Sequence, residues 1–101
     1  MKSKIEKIGL KDDKNKLRYD LITVESIKGM AEVLTYGAKK YKPNSWQNLE
    51  DGINKHYAAT MRHIMKWRSG EENDEDTNLH HLKHAMTNLM FLIYHDMENK
   101  K

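Results

Sequence analysis

Between Arg62 and Asn88 the chain gathers four of its six histidines and most of a carboxylate run. Arg62-His63 comes first, then Glu71, Glu72, Asp74, Glu75 and Asp76 after Gly70, then His80-His81-Leu82-Lys83-His84. Carboxylate oxygens are what a hard divalent cation takes as ligands, with waters or substrate phosphates completing its shell. Imidazoles offer nitrogen ligands, hydrogen bonds to phosphate, or a base for water. On this pattern Glu71, Asp74 and Asp76 are candidate metal ligands. His63, His81 and His84 are candidate catalytic residues or further ligands. The chemistry that suits them is attack of water on phosphorus, with a metal and nearby cations stabilising the developing charge. The same residues also suit a solvated acidic loop beside a histidine-rich surface, because blocks of like charge are usually hydrated. His56, His80 and His95 are read as surface histidines without a role. No phosphate-binding glycine loop, dinucleotide turn, nucleophile elbow or His-Glu-x-x-His pair is present.

Three helices must position these groups. Thr23 is a plausible cap for the first, with Glu25 in its opening turn. Val24, Ile27, Ala31, Leu34, Ala38 and Tyr41 then form an apolar stripe at 3/4 spacing. Gly37 interrupts that helix at a cost of about 1 kcal/mol against Ala, which suggests close approach of another helix or a ligand. Pro43 to Asn48 has turn chemistry around Trp46, which either plugs the end of the core or offers a stacking face. The second helix runs from about Leu49 or Gly52 to Ser69, with Ile53, Tyr57, Thr60, Met61, Ile64 and Trp67 as its core face. The third is expected to begin at Thr77 or Asn78 and to end near Glu98. Its apolar face reads Leu79, Leu82, Ala85, Met86, Leu89, Met90, Ile93 and Met97. A second line of His81, His84, Asn88, Phe91 and His95 runs beside it. A helix apolar almost all round is buried on more than one side, which in so short a chain argues for a second copy.

The fold class is therefore an all-α bundle of three main helices, preceded by an irregular basic arm over residues 1–22 and completed by dimerisation. Residues 23–101 form the helical domain. At 101 residues one small core is expected. Without cysteine there are no disulfides or thiolate metal sites, which fits a cytoplasmic setting. No apolar run approaches about 18 residues, and the Lys-rich start lacks the apolar segment of a signal peptide. A net charge of +3 is too mild to argue for a nucleic-acid duplex and suits a polyphosphate ligand.

Leu17-Arg18-Tyr19-Asp20-Leu21, Tyr36-Gly37-Ala38-Lys39-Lys40-Tyr41, Asn44-Ser45-Trp46, Arg62-His63, Gly70-Glu71 and His81-Leu82-Lys83-His84-Ala85 occur in this order. In these blocks, and over roughly residues 16–94, the chain resembles the dATP/dGTP diphosphohydrolase (pyrophosphohydrolase) family of bacteriophages, often described as MazG-like. The resemblance implies a metal-dependent pyrophosphohydrolase that splits a purine deoxynucleoside triphosphate into monophosphate and pyrophosphate with Mg²⁺ or Mn²⁺. Arg18, Lys39, Lys40 and Arg62 would hold phosphates, and Tyr36 or Trp46 would stack on the base. Its partners would be a purine nucleotide and a second copy of the chain. MazG-type enzymes carry Glu-x-x-Glu on one helix, whereas the first helix here has Glu25 and Glu32 seven apart. An alternative is therefore a cofactor-free protein that sequesters a nucleotide without cleaving it, such as a phage sponge for a defence signal.

Overall fold

The computed structural model describes residues 14–101. Most of the expected N-terminal arm, residues 1–13, lies outside them. The described part of the arm ends in a single 3₁₀ turn, Tyr19–Leu21. Three helices follow: α1 (Val24–Lys40), α2 (Gly52–Arg68) and α3 (His81–Asn99), with a second 3₁₀ turn, Ser45–Asn48, between α1 and α2. No strand is present among the described residues, and no helix there is long and apolar enough to cross a membrane. The all-α bundle expected from periodicity is the fold observed.

Thr23 caps α1 as its sequence predicts, accepting the Ser26 amide on its side chain. Such a cap contributes about 1 kcal/mol against alanine. Lys39 and Lys40 occupy the last turn, where the helix dipole favours cations. The start of α3 differs from expectation. Neither Thr77 nor Asn78 caps it, because Asn78 is in the left-handed region (φ 59°) and the chain is still turning there. The helix begins four residues after Thr77, at His81, and the His80 ring accepts the Leu82 amide on Nδ1. Before it, the Asp74 amide donates to the Leu79 carbonyl (2.8 Å) and the His81 amide to the Glu72 carbonyl (2.9 Å). The carboxylate loop is thus pinned directly beneath the first turn of α3.

The helices also turn a different face inward than their apolar stripes suggest. The α2–α3 seam is built from His56, Thr60, His81, His84, Thr87 and Asn88, with Ala85 as the buried apolar residue. Leu82, Leu89, Ile93 and Met97 of α3 and Ile53, Tyr57 and Met61 of α2 are exposed. The polar seam is largely internally bonded, with His56 Nε2 the buried atom left without a partner. His56 Nδ1 meets Asn88 Oδ1 at 3.3 Å, Asn88 Nδ2 donates to the His84 carbonyl, and Thr60 and Thr87 donate one turn back to the His56 and Lys83 carbonyls. Buried polar groups cost little once paired. Neighbouring stripes on a helix differ by only one residue, about 100° of rotation, so small and bonded side chains take the seam and the apolar row is left outward.

Helix α1 crosses α3 at Gly29. A Cβ there would lie 2.9 Å from Lys83 Cγ, so any larger residue forces the lysine stem to shift. Lys83 then pairs with Glu32 at 2.7 Å.

Candidate active site

The end of α2, the loop and the first turn of α3 bring five of the sequence-predicted residues together. His63 Nδ1 and His81 Nδ1 are 2.8 Å apart. His81 is fully buried, and its other nitrogen lies 2.6 Å from Glu71 Oε2. A carboxylate only accepts, so His81 carries its proton on Nε2 and presents a lone pair on Nδ1. The rings of His63 and His84 stack with centroids 4.5 Å apart and planes 10° apart. One ligand atom each from His63, Asp74 and His81 lie within 4.8 Å of one another. This position is a consequence of the closed loop, which returns Glu71 and Asp74 to the base of α3.

Thr77 completes the group. Its hydroxyl accepts from the Leu79 amide (3.2 Å), lies 2.7 Å from His84 Nε2 and donates to Asp74 Oδ2 (3.3 Å). With that donation made, His84 Nε2–H is the donor to Thr77, and His84 keeps a lone pair on Nδ1. Asp74 Oδ2 also accepts the Asp76 and Thr77 amides. Spacing had assigned Thr77 only as a helix cap. The signal that fits its observed role is Asp74-x-x-Thr77, a side-chain-bonded turn.

The electrostatics keep His63 and His84 neutral. Burial pushes His63 down to about 4, aided by His84, His81 and Arg62 and opposed by Asp74. Burial likewise lowers His84, with Asp74 opposing and His81 assisting. At Asp74, burial works to raise the carboxyl, but the Thr77 amide, His84, the Thr77 hydroxyl and the Asp76 amide together hold it below its ordinary value. Near neutral pH His63 and His84 are therefore neutral imidazoles beside an ionised Asp74.

His84 also lines a cleft of about 790 Å³ between the C-terminal half of α1 and the start of α3. Tyr36, Gly37, Lys40 and Trp46 line its outer part, while Thr77, His84 and Asn88 lie on the α3 side. A Cβ on Gly37 would meet nothing within 4 Å, so its open face borders the cleft and not another helix. Trp46 takes the first of the two places expected for it, at the end of the core. Its ring stacks on Phe91 (4.3 Å, 22°) and meets Tyr94 and His95 edge-on, closing the end of the bundle, and it still borders the cleft.

The other predicted residues stand apart. Arg18 makes a paired contact with Asp20, both bonds 2.8 Å, and lines a second cleft with Lys14, Lys16 and Leu17 that shares no lining residue with the first. Lys39 and Arg62 are exposed and outside both clefts. Asp76 is exposed, and of the three carboxylates expected as ligands the metal-capable group takes in Asp74. Two histidines expected at the surface are instead structural. His56 is 6% exposed in the seam, and His80 is the cap of α3. His95, the third, is half-buried against Trp46.

Mg²⁺ prefers a near-octahedral shell of oxygens with several waters. Two imidazole nitrogens and one carboxylate oxygen are a different donor set, and the residues gathered here do not fit Mg²⁺.

Residues 6–101 match the family model described as dATP/dGTP diphosphohydrolase, N-terminal. The chain is 34% identical over 86 residues to a dATP/dGTP diphosphohydrolase of Salmonella phage PMBT28. That match takes in 85% of this chain and 29% of the phage protein, so the chain spans less than a third of its relative. No solved structure matches. The chain belongs to the dATP/dGTP diphosphohydrolase N-terminal family.

Proposed function

We propose that this member of the family binds a purine deoxynucleoside triphosphate in the α1–α3 cleft and hydrolyses it to the monophosphate and pyrophosphate. The observation that supports this reading is the cleft itself, aromatic and cationic at Tyr36, Lys40 and Trp46 and bordered on the other side by an imidazole oriented through Thr77. Concave sites with a few convergent polar groups are where small ligands bind. The base would lie against Tyr36 or Trp46 and the phosphates near Lys40, with the reacting phosphorus toward His84. Water adds its oxygen to the α-phosphorus, the bond to the bridging oxygen breaks, and pyrophosphate leaves with that electron pair. His84 Nδ1 takes the water proton, and the Thr77–Asp74 pair holds the ring in the tautomer that can do so. A divalent metal bound nearby would supply charge stabilisation. As an enzyme acting on the nucleotide pool it would work in the bacterial cytoplasm.

The test is a nucleotide panel with product analysis, with and without divalent metal. Release of pyrophosphate from dATP or dGTP supports the reading, and full recovery of every nucleotide under all metal conditions refutes it. A second reading, sequestration of a nucleotide without cleavage, is favoured by one observation: Glu71 Oε2 and Asp74 Oδ2 are both engaged inside the protein. It requires tight binding and return of unmodified ligand after denaturation.

The outward apolar rows of α2 and α3 are assigned to a second copy of the chain. Leu89 is 48% exposed and Ile93 61%, on a helix whose opposite face is already packed. Large apolar side chains contribute about 1.5–3 kcal/mol each when fully buried, so covering several of them would repay association.

A further inference from the structure

We propose that His63, Asp74 and His81 form a binding site for one divalent transition-metal ion, selective for an imidazole-preferring ion such as Zn²⁺ or Co²⁺ over Mg²⁺. Three elements supply one ligand each: the last turns of α2, the closed loop and the first residue of α3. Their ligand atoms lie within 4.8 Å of one another. The two ring nitrogens at 2.8 Å need separate by only about 0.6 Å to reach the spacing of adjacent tetrahedral ligands, about 3.4 Å for bonds of about 2.1 Å.

The surrounding groups are those that prepare a metal site. A histidine ligand usually gives its second nitrogen to a carboxylate, which fixes the tautomer and strengthens the ligand. His81 does this with Glu71 at 2.6 Å. The Asp74 carboxylate is held by the Asp76 amide, the Thr77 amide and the Thr77 hydroxyl, and all three bonds fall on Oδ2. Oδ1 is left for a further partner. In the metal-free protein the contact between the two Nδ1 atoms is a hydrogen bond. His81 Nδ1 accepts, so His63 holds the proton on Nδ1. Binding a metal moves that proton to His63 Nε2, with no net loss.

Nitrogen donors direct the choice of ion. Two imidazoles and a carboxylate suit Fe²⁺, Co²⁺, Ni²⁺ or Zn²⁺, whereas oxygen-only shells suit Mg²⁺. Three protein ligands leave coordination positions open to water or to an oxygen of a ligand. The inference concerns binding and stands whether or not the chain hydrolyses nucleotides.

The experiment uses tag-free, chelator-treated protein titrated with ZnCl₂, CoCl₂ and MgCl₂ by calorimetry, with Co²⁺ also followed by visible absorption. One equivalent of Zn²⁺ and of Co²⁺ should bind, with Mg²⁺ weaker by at least about 100-fold. Glu71→Gln should weaken Zn²⁺ by about 10–100-fold, the usual cost of removing a ligand's carboxylate partner. His63→Ala should abolish stoichiometric binding, and His80→Gln should leave it in place. Because His63→Ala can fail to fold, His63→Cys is the companion. It should keep Co²⁺ and gain a near-ultraviolet thiolate-to-cobalt band. Absence of stoichiometric Zn²⁺ and Co²⁺ binding by the parent chain overturns the site. So does a His63→Cys protein with helical circular dichroism and no thiolate band, or equal affinity for Mg²⁺.

Discussion

Thr77 Oγ1 lies 2.7 Å from His84 Nε2, which ties the cleft imidazole to the loop carboxylate through a single hydroxyl. Thr77→Val keeps the shape and removes that hydroxyl. If His84 is the base, kcat for dNTP hydrolysis should fall by about 10²-fold, the lower end of what general base catalysis contributes. Thr77→Ser should restore most of it. A valine variant with unchanged kcat would separate Thr77 from catalysis.

Gly37 is a helical glycine with open space at its missing side chain. Gly37→Ala should raise stability by roughly 0.5–1 kcal/mol, since alanine is the better helix former. The added methyl enters the cleft, so nucleotide affinity should fall in the same variant. Thermal melts and calorimetry read the two effects separately. A gain in stability with unaltered affinity would place the nucleotide elsewhere.

Acid should unfold the metal-free protein. Burial is the leading cause of the lowered values at His56, His63 and His84. The folded state therefore binds fewer protons than the unfolded chain below the ordinary histidine value near 6.5. Stability is full above about pH 6.5 and declines as pH falls toward the folded-state value, about 4 for His63. His63 alone contributes on the order of 2–3 kcal/mol across that window. Melting temperature at pH 5 should be several degrees below that at pH 7.5. An unchanged melting temperature would mean these rings protonate as readily folded as unfolded.

Light scattering coupled to size exclusion should give twice the chain mass if the outward rows are covered by a second copy. Ile93→Glu introduces a charge at the centre of the α3 row and should shift the population to monomer. A parent chain that stays monomeric at every concentration would refute that assignment.

Periodicity gave the three helices and the order of groups around the site, because 3/4 spacing and a capping Thr23 are local properties. Convergence of His63, Asp74 and His81 was only partly legible. Their residue types were visible, but the return of the loop depends on backbone bonds such as His81 N to Glu72 O. The inward face was misread because hydrophobicity ranks Leu89 and Ile93 above Thr87 and Asn88. In the chain as folded, it is the internally bonded pair that packs. Arg18 matched the family blocks and lies away from the cleft, where it pairs with Asp20 two residues along the chain.

The crossing at Gly29 sets how near α1 lies to α3. Lys83 passes Gly29 and pairs with Glu32 at the middle of α1, which leaves the C-terminal half of the helix, from Val33 on, to line the cleft. A larger residue at Gly29 would wedge the two helices apart, so the width of the cleft is set in part from outside it.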